Sequence, residues 1–170
     1  MTATALAIRE TEQPAAGDGT PVAAGHPILA VARRRAAEHG LPYAGGVTPQ
    51  EAWALFSAHE AALVDVRSAE ERKFVGHVPG SLHVAWATGT GLTRNPRFVR
   101  ELEFKTGKDA VVLLLCRSGK RSALAAEAAA KAGLTNVFNV LEGFEGDLDE
   151  QQRRGTFNGW RFAGLPWAQD

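Results

Sequence analysis

Residues 111–122 have the sequence VVLLLCRSGKRS, in which a continuous apolar run ends at Cys116 and a short loop with three cations follows. An apolar run of strand length without alternation is typical of a strand buried on both faces of a parallel sheet. Residues 123–132 are rich in alanine and favour a helix, which the Ser122 hydroxyl could cap and Gly133 could end. The predicted order is therefore a buried strand, a cysteine, a tight loop and a helix N-terminus.

The remaining segments alternate between helical and strand-like patterns, which is typical of an α/β domain with parallel strands. Thr48 and Ser68 are suited to cap two of the helices, and the glycines and proline of residues 76–80 indicate a turn. The further predicted helices cover residues 27–39, 49–58, 69–74 and 96–104, and the further predicted strands cover 61–66, 81–86 and 137–141.

Composition and charge restrict the possible functions. The chain has 170 residues, of which 45% are hydrophobic, so one globular domain with a packed core is expected. Lys plus Arg and Asp plus Glu both number 19, which argues against nucleic acid or a membrane surface as partner. A single cysteine excludes an intrachain disulfide and a cysteine-rich zinc site. No signal-like or membrane-spanning segment is present, so a soluble, cytoplasmic protein is expected.

Three regions are expected along the chain. Residues 1–26 contain Ala, Thr, Gly and Pro but no aromatic residue, which predicts a disordered tail. Residues 27–42 would form a short helical extension, and its arginines at 33–35 are expected to face solvent, with a partner-binding arm as the alternative. Residues 43–170 would form the globular domain with a C-terminal extension, including a polar insert at 147–157. Both extensions could cover the domain or shape a partner site, and covering is favoured.

The position of Cys116 indicates that its thiol takes part in a reaction. Ligands and catalytic groups of open α/β sheets gather at the carboxyl ends of the strands. Free backbone N–H groups of the loop and the helix dipole would favour a thiolate, which is the nucleophilic form of cysteine. An isolated cysteine beside apolar residues is often a buried structural residue, but here three cations, Arg117, Lys120 and Arg121, follow within five residues.

The same loop is suited to hold a small sulfur-containing anion such as thiosulfate beside the thiolate. Attack on the outer sulfur would leave a persulfide on Cys116, and a thiol, cyanide or a sulfur-acceptor protein would then take that sulfur. No metal, nucleotide or organic cofactor is required. The cations favour a dianionic donor over a monoanionic one such as mercaptopyruvate.

Four motifs of the chain resemble those of rhodanese domains in type, order and approximate spacing: DVR at 65–67, GHVPGS at 76–81, CRSGKRS at 116–122 and LEGF at 141–144. The resemblance covers residues 43 to 147. It implies a five-stranded parallel sheet flanked by helices on both faces and a thiosulfate sulfurtransferase with a persulfide cycle at Cys116. The implied anion-binding residues are Arg117, Ser118, Gly119, Lys120, Arg121 and Ser122.

Other polar residues of the motifs have roles that the sequence leaves open. Asp65 ends an apolar strand, so its charge needs a partner and a structural ion pair or hydrogen bond is expected. Arg67 falls at the same sheet edge as Cys116 and could contact the substrate or form a structural pair; we predict substrate binding. His77 lies between glycines and is expected to hold the turn through a hydrogen bond. Trp53 and Trp86 are expected in the core or a pocket wall.

Two other functions compete with sulfur transfer. Cysteine-dependent phosphatases and arsenate reductases also place a cysteine on an anion-binding loop, and such phosphatases have five residues between the cysteine and an arginine. Here four residues separate Cys116 from Arg121, and position 122 is serine. A smaller loop suits a sulfur atom better than a tetrahedral phosphoryl group. Rhodanese-like domains that have lost the cysteine act as interaction modules, but this chain retains it.

Overall fold

The computed structural model describes residues 25–170, so nearly all of the predicted tail lies outside the described residues. The helices are α1 (Pro27–Glu38), α2 (Pro49–Ser57), α3 (Ala69–Val75), α4 (Phe98–Thr106) and α5 (Lys120–Lys131). The strands are β1 (Gly45–Val47), β2 (Ala62–Asp65), β3 (Leu82–His83), β4 (Ala87–Thr88), β5 (Thr93–Arg94), β6 (Val112–Leu115) and β7 (Val137–Val140). None of these helices is long and apolar enough to span a membrane.

Five strands form one parallel sheet in the order β1-β7-β6-β2-β3, with helices on both faces. The predicted α/β fold is therefore confirmed. Strand β6 lies at the centre, and its successive side chains point to opposite faces: Val112 and Leu114 belong to one apolar cluster, and Leu113 and Leu115 to the other. All four are fully buried, as a strand covered on both faces requires.

Local capping rules explain where two helices begin. The Thr48 and Ser68 side chains accept hydrogen bonds from the backbone N–H groups of Glu51 and Glu71, and each glutamate side chain accepts in return from the backbone of its cap. These are complete capping boxes, which satisfy backbone donors that the helix itself leaves free. Both predicted caps are confirmed.

Helix α5 begins earlier than predicted. Gly119 has φ +93°, a left-handed conformation that favours glycine, and this turn makes Gly119 the N-cap of a helix starting at Lys120. Ser122 therefore does not cap the helix. It lies in the first turn, fully buried, with its hydroxyl directed at Cys116.

Two sheet elements also differ from the predictions. The predicted strand 81–86 is regular only at β3, although the N–H groups of Val84 and Trp86 still donate to the backbone oxygens of Asp65 and Val66. The chain then turns into a β4–β5 hairpin, which was not predicted. Strand β1 was not identified from its residues either, because it contains only three residues and two are glycines, which are depleted in strands.

Both extensions pack on the domain. Helix α1 buries Leu29, Ala32 and Ala36. Arg34 and Arg35 are exposed as predicted, although Arg35 also pairs with Glu51. Arg33 differs from the prediction, because its guanidinium donates to the Thr135 backbone oxygen and the Asn136 side chain. At the other end of the chain, Trp160 is fully buried with its ring edge-on to Trp53 at 6.2 Å. Residue Ala168 pairs through its backbone with His77.

Candidate active site

Cys116 directly follows the central strand β6 and lies under the first turn of α5. Its Sγ atom accepts a hydrogen bond from the backbone N–H of Gly119 at 3.1 Å, and the Ser122 hydroxyl oxygen also lies 3.1 Å from it. The residue is only 1% exposed. The sulfur therefore lies beside one backbone donor, one hydroxyl group and the positive end of the α5 dipole.

A buried amide supports the same loop. Asn139 lies on β7, beside β6, and its Oδ1 atom is hydrogen-bonded to the Ser122 hydroxyl while its Nδ2 group donates to the Gly119 backbone oxygen at 3.1 Å. The residue is 3% exposed. Asn139 is not among the residues that the sequence motifs predicted for the site. The available signal was an amide in the middle of an apolar strand, where a buried polar group requires partners.

The segment after β7 shapes the cysteine loop from the other side. The N–H of Phe144 donates to the Cys116 backbone oxygen at 2.8 Å, and the N–H of Glu145 donates to the Arg117 oxygen at 2.9 Å. Gly143 has φ +66°, and a Cβ atom there would lie 2.5 Å from the backbone of Arg117 and Ser118. The LEGF motif therefore allows two loops to approach each other closely.

The outer rim of the loop carries the accessible charges. Arg117 and Lys120 are exposed, and Ser118 is partly exposed. A groove of about 260 Å³ lies beside Arg117, between the start of α3 and the β4–β5 hairpin. The other residues that line it are Ser68, Glu70, Glu71, Gly89, Thr90 and Leu92.

Arg121 is not free to bind a donor as predicted. Its two terminal nitrogens donate to both carboxylate oxygens of Glu71 at 2.8 and 2.7 Å. Burial opposes ionisation of Glu71, but hydrogen bonds from Arg121 and Ser68 outweigh it and lower the pKa of Glu71 to about 2. The hydrogen bond to Glu71 in turn raises the pKa of Arg121. The ion pair of Arg121 and Glu71 therefore links α5 to α3.

The Arg67 side chain is even less accessible to a substrate than that of Arg121. Its side chain is fully buried, donates to both carboxylate oxygens of Asp65 and reaches the Gly76 backbone oxygen at 2.7 Å. Its guanidinium also lies over the Phe144 ring, 4.3 Å from the centroid. Arg72 donates to the same Asp65 carboxylate at 3.0 Å. The geometry therefore supports the structural pair expected for Asp65 and leaves Arg67 no surface for the predicted substrate contact.

The turn at residues 76–80 is held mainly by groups other than the His77 ring. Arg67 donates to Gly76, and the Ser81 hydroxyl donates to the Val78 oxygen at 2.6 Å. Among the described residues, the hydrogen bonds of His77 are those of its backbone with Ala168, so the expected side-chain bond is absent. His83, which was not predicted to have a role, has its Nε2 atom 2.7 Å from the Arg67 backbone oxygen.

The two tryptophans considered in the sequence occupy the interior or its edge. Trp86 is 7% exposed and packs edge-on against Phe98, with the ring centroids 5.2 Å apart. Trp53 is partly buried and lies against Phe56 and Trp160. Both positions agree with the expected roles in packing.

Comparison with known proteins identifies the family. The model of the rhodanese-like domain matches residues 48–150. The crystal structure of Rv0390 from M. tuberculosis is 45% identical, with a TM-score of 0.68 over 75% of this chain and 99% of that chain. An uncharacterized protein of Rickettsia rickettsii, the RP600 homolog, is 34% identical over 66% of this chain and 87% of its own length. The thiosulfate sulfurtransferase GlpE of Actinobacillus succinogenes is 29% identical over 71% and 86% of the two chains. Since the matched residues make up more than half of the chain and include the strand, the cysteine loop and the helix that follows it, the chain belongs to the rhodanese-like domain family.

Proposed function

We propose that this protein is a sulfurtransferase that carries sulfur as a persulfide on Cys116. The observation that carries the proposal is the position of the Gly119 N–H and of the Ser122 hydroxyl, both at 3.1 Å from Sγ and both able to donate to a thiolate. Donors in this position stabilise the thiolate that the reaction needs as its nucleophile. The name of the Actinobacillus relative, thiosulfate sulfurtransferase, supports the same reaction class.

The proposed reaction has two steps, each a displacement at sulfur. In the first, the Cys116 thiolate attacks the outer sulfur of thiosulfate, a new S–S bond forms, and sulfite leaves with the electrons of the old S–S bond. In the second, cyanide or a thiolate attacks the outer sulfur of the persulfide. Thiocyanate or a new persulfide forms, and the Cys116 thiolate is regenerated. Neither step requires a proton transfer once the thiolate is present.

We assign donor binding to the rim of the loop. Arg117 and Lys120 are exposed and follow the cysteine closely, so their charges can attract a dianion from solvent. Free backbone N–H groups of the loop and the N-terminus of α5 add further donors. Arg67 and Arg121 are excluded from this set because their guanidinium groups are bound to carboxylates.

Phosphoryl or arsenate chemistry has less support. The loop places four residues between Cys116 and Arg121, and the Arg121 guanidinium is bound at both terminal nitrogens by Glu71. A phosphatase of this type needs that arginine for the phosphoryl oxygens. Incubation with an aryl phosphate tests this alternative, and we expect no hydrolysis.

The decisive experiment measures the intact mass of the protein after incubation with thiosulfate. We expect one added sulfur atom, which a reductant removes, and thiocyanate formation when cyanide is supplied. Cys116→Ser should abolish both because the chain has no other cysteine. Ser57→Ala, an exposed change at the end of α2, serves as the matched control and should retain both. Transfer by Cys116→Ser, or no sulfur addition to the unaltered protein, would contradict the proposal.

A further inference from the structure

One hydroxyl proton lies between two buried acceptors. The Ser122 oxygen is within hydrogen-bond distance of the Cys116 Sγ atom and of the Asn139 Oδ1 atom. A serine hydroxyl has a single proton to donate. All three residues are at least 97% buried, so water does not readily replace a lost partner.

The orientation of the Asn139 amide is fixed by its other end. Its Nδ2 group donates to the Gly119 backbone oxygen at 3.1 Å. A flipped amide would place two oxygens against each other at Gly119, so the carbonyl oxygen must face Ser122. Since a carbonyl oxygen can only accept, the Ser122–Asn139 contact is favourable only when the Ser122 proton points to Asn139.

The protonation state of Cys116 decides where that proton is needed. A thiol can donate its own proton to the Ser122 oxygen, and Ser122 then donates to Asn139, so that every group has a partner. A thiolate has no proton and must accept one. When Ser122 turns towards the thiolate, two oxygen lone pairs face each other across the Ser122–Asn139 contact, and the amide oxygen loses the Ser122 proton. Two other titratable groups lie close, Arg121 beside Cys116 and Tyr43 beside Asn139, and both are retained in every variant of the alkylation experiment below. In the persulfide, the charge resides on the outer sulfur, and Ser122 can again donate to Asn139.

We propose that Asn139 is a positioning residue that competes with the Cys116 sulfur for the Ser122 proton. It disfavours the thiolate relative to the thiol and to the persulfide, which keeps the free thiolate reactive and assists loading with sulfur. The inference rests on the proposed function for its role in sulfur loading. The hydrogen-bond competition itself is a property of the free enzyme.

The experiment measures the rate of Cys116 alkylation by iodoacetamide as a function of pH. Cys116 is the only cysteine, so the label reports one site. Asn139→Leu removes the competing acceptor, and the midpoint of the profile should move down by about one pH unit, since a hydrogen bond to a charged group is worth about that much. Gly119 keeps a partner for its oxygen in this variant, the N–H of Ala123.

A second background separates proton competition from a general effect of the amide. In Ser122→Ala there is no proton to compete for, so adding Asn139→Leu should leave the midpoint where Ser122→Ala alone puts it. The matched control is Asn136→Leu, which removes an amide bonded to Asp109 and Arg33, away from the cysteine loop. It should not move the profile.

The inference is overturned if Asn139→Leu leaves the midpoint unchanged or raises it. It is also overturned if the shift is equally large in the Ser122→Ala background, because the amide would then act without the hydroxyl. If Asn139→Leu does not fold, Asn139→Val replaces it, since a β-branched residue suits strand β7. Alkylation needs no sulfur donor, so a protein that failed to transfer sulfur would contradict the proposed function and leave this test intact.

Discussion

Two arginine–carboxylate pairs flank the cysteine loop, and they differ in how completely they are removed from water. In the pair of Arg67 and Asp65, both side chains have no exposed surface. In the pair of Arg121 and Glu71, the side chains are 16% and 20% exposed. The first joins the end of β2 to the turn at Gly76, and the second joins the starts of α3 and α5.

This difference in exposure distinguishes charged groups that stabilise the fold from charged groups that are accessible to a substrate. In a fully buried pair each charge compensates the other. Removal of one partner therefore leaves the other charge buried without compensation. A partly exposed pair depends less on its partner, because water can solvate the remaining charge. Arg117 and Lys120 are exposed and form no such pair among the described residues, so in the proposed reaction their charge would be available to the donor.

The largest effect is expected from breaking the buried pair. Asp65→Asn removes the charge that Arg67 and Arg72 share, and should lower the free energy of unfolding by about 3–5 kcal/mol. Urea denaturation measures this. Asp109→Asn makes the same change at an exposed position and should stay within about 0.5 kcal/mol of the unaltered protein. A small loss for Asp65→Asn would show that Arg67 gains other solvation when its partner is removed.

A smaller loss of stability is expected from breaking the partly exposed pair of Arg121 and Glu71, and this loss should depend on pH. The pKa of Glu71 falls from 4.5 to about 2 in the folded protein, so its stabilisation is fully present above pH 4.5 and is lost as the pH falls towards 2. Arg121→Gln should remove about 1–2 kcal/mol at pH 7 after allowance for screening. It should also flatten the decline in stability between pH 4.5 and 2. Urea titrations across that range measure both.

Arg121→Gln also tests the role that the sequence alone assigned to this residue. If the variant raised the KM for thiosulfate and left the unfolding free energy unchanged, Arg121 would be a donor-binding residue after all. We expect the opposite result, because its guanidinium is already bound by Glu71.

The smallest effect on stability is expected at the exposed rim. Arg117→Gln combined with Lys120→Gln should change the unfolding free energy by no more than about 0.5 kcal/mol. The KM for thiosulfate should rise about tenfold, because two charges that attract the dianion are lost. Steady-state rates with cyanide as acceptor measure this. Lys108→Gln, an exposed change before β6, is the control. An unchanged KM would remove Arg117 and Lys120 from the donor site.

The sequence predicted the features that depend on neighbouring residues. The apolar run before Cys116 indicated a strand covered on both faces, and Thr48 and Ser68 indicated helix starts, because capping is decided within four residues. These predictions are confirmed by β6 and by the two capping boxes. The position of Cys116 at the carboxyl edge of the sheet follows from the same local order.

The partners of the charged and polar groups could not be predicted in the same way. Arg121 and Glu71 are 50 positions apart, and Ser122 and Asn139 are 17 positions apart. Local patterns show that a charge is present but not which distant group it meets. Helix α5 begins at the left-handed Gly119, so its N-cap is residue 119 and not residue 122. Ser122 therefore lies within hydrogen-bond distance of the Cys116 sulfur and does not cap the helix.

The close approach of Gly143 to the cysteine loop has a consequence for how the protein is made. The backbone that supports Cys116 includes Phe144 and Glu145, and Gly143 in turn accepts a hydrogen bond from Trp160. During translation, the cysteine therefore leaves the ribosome well before the residues that shape its surroundings. The backbone hydrogen bonds that hold the Cys116 loop can form only when β7 and the segment after it have been added.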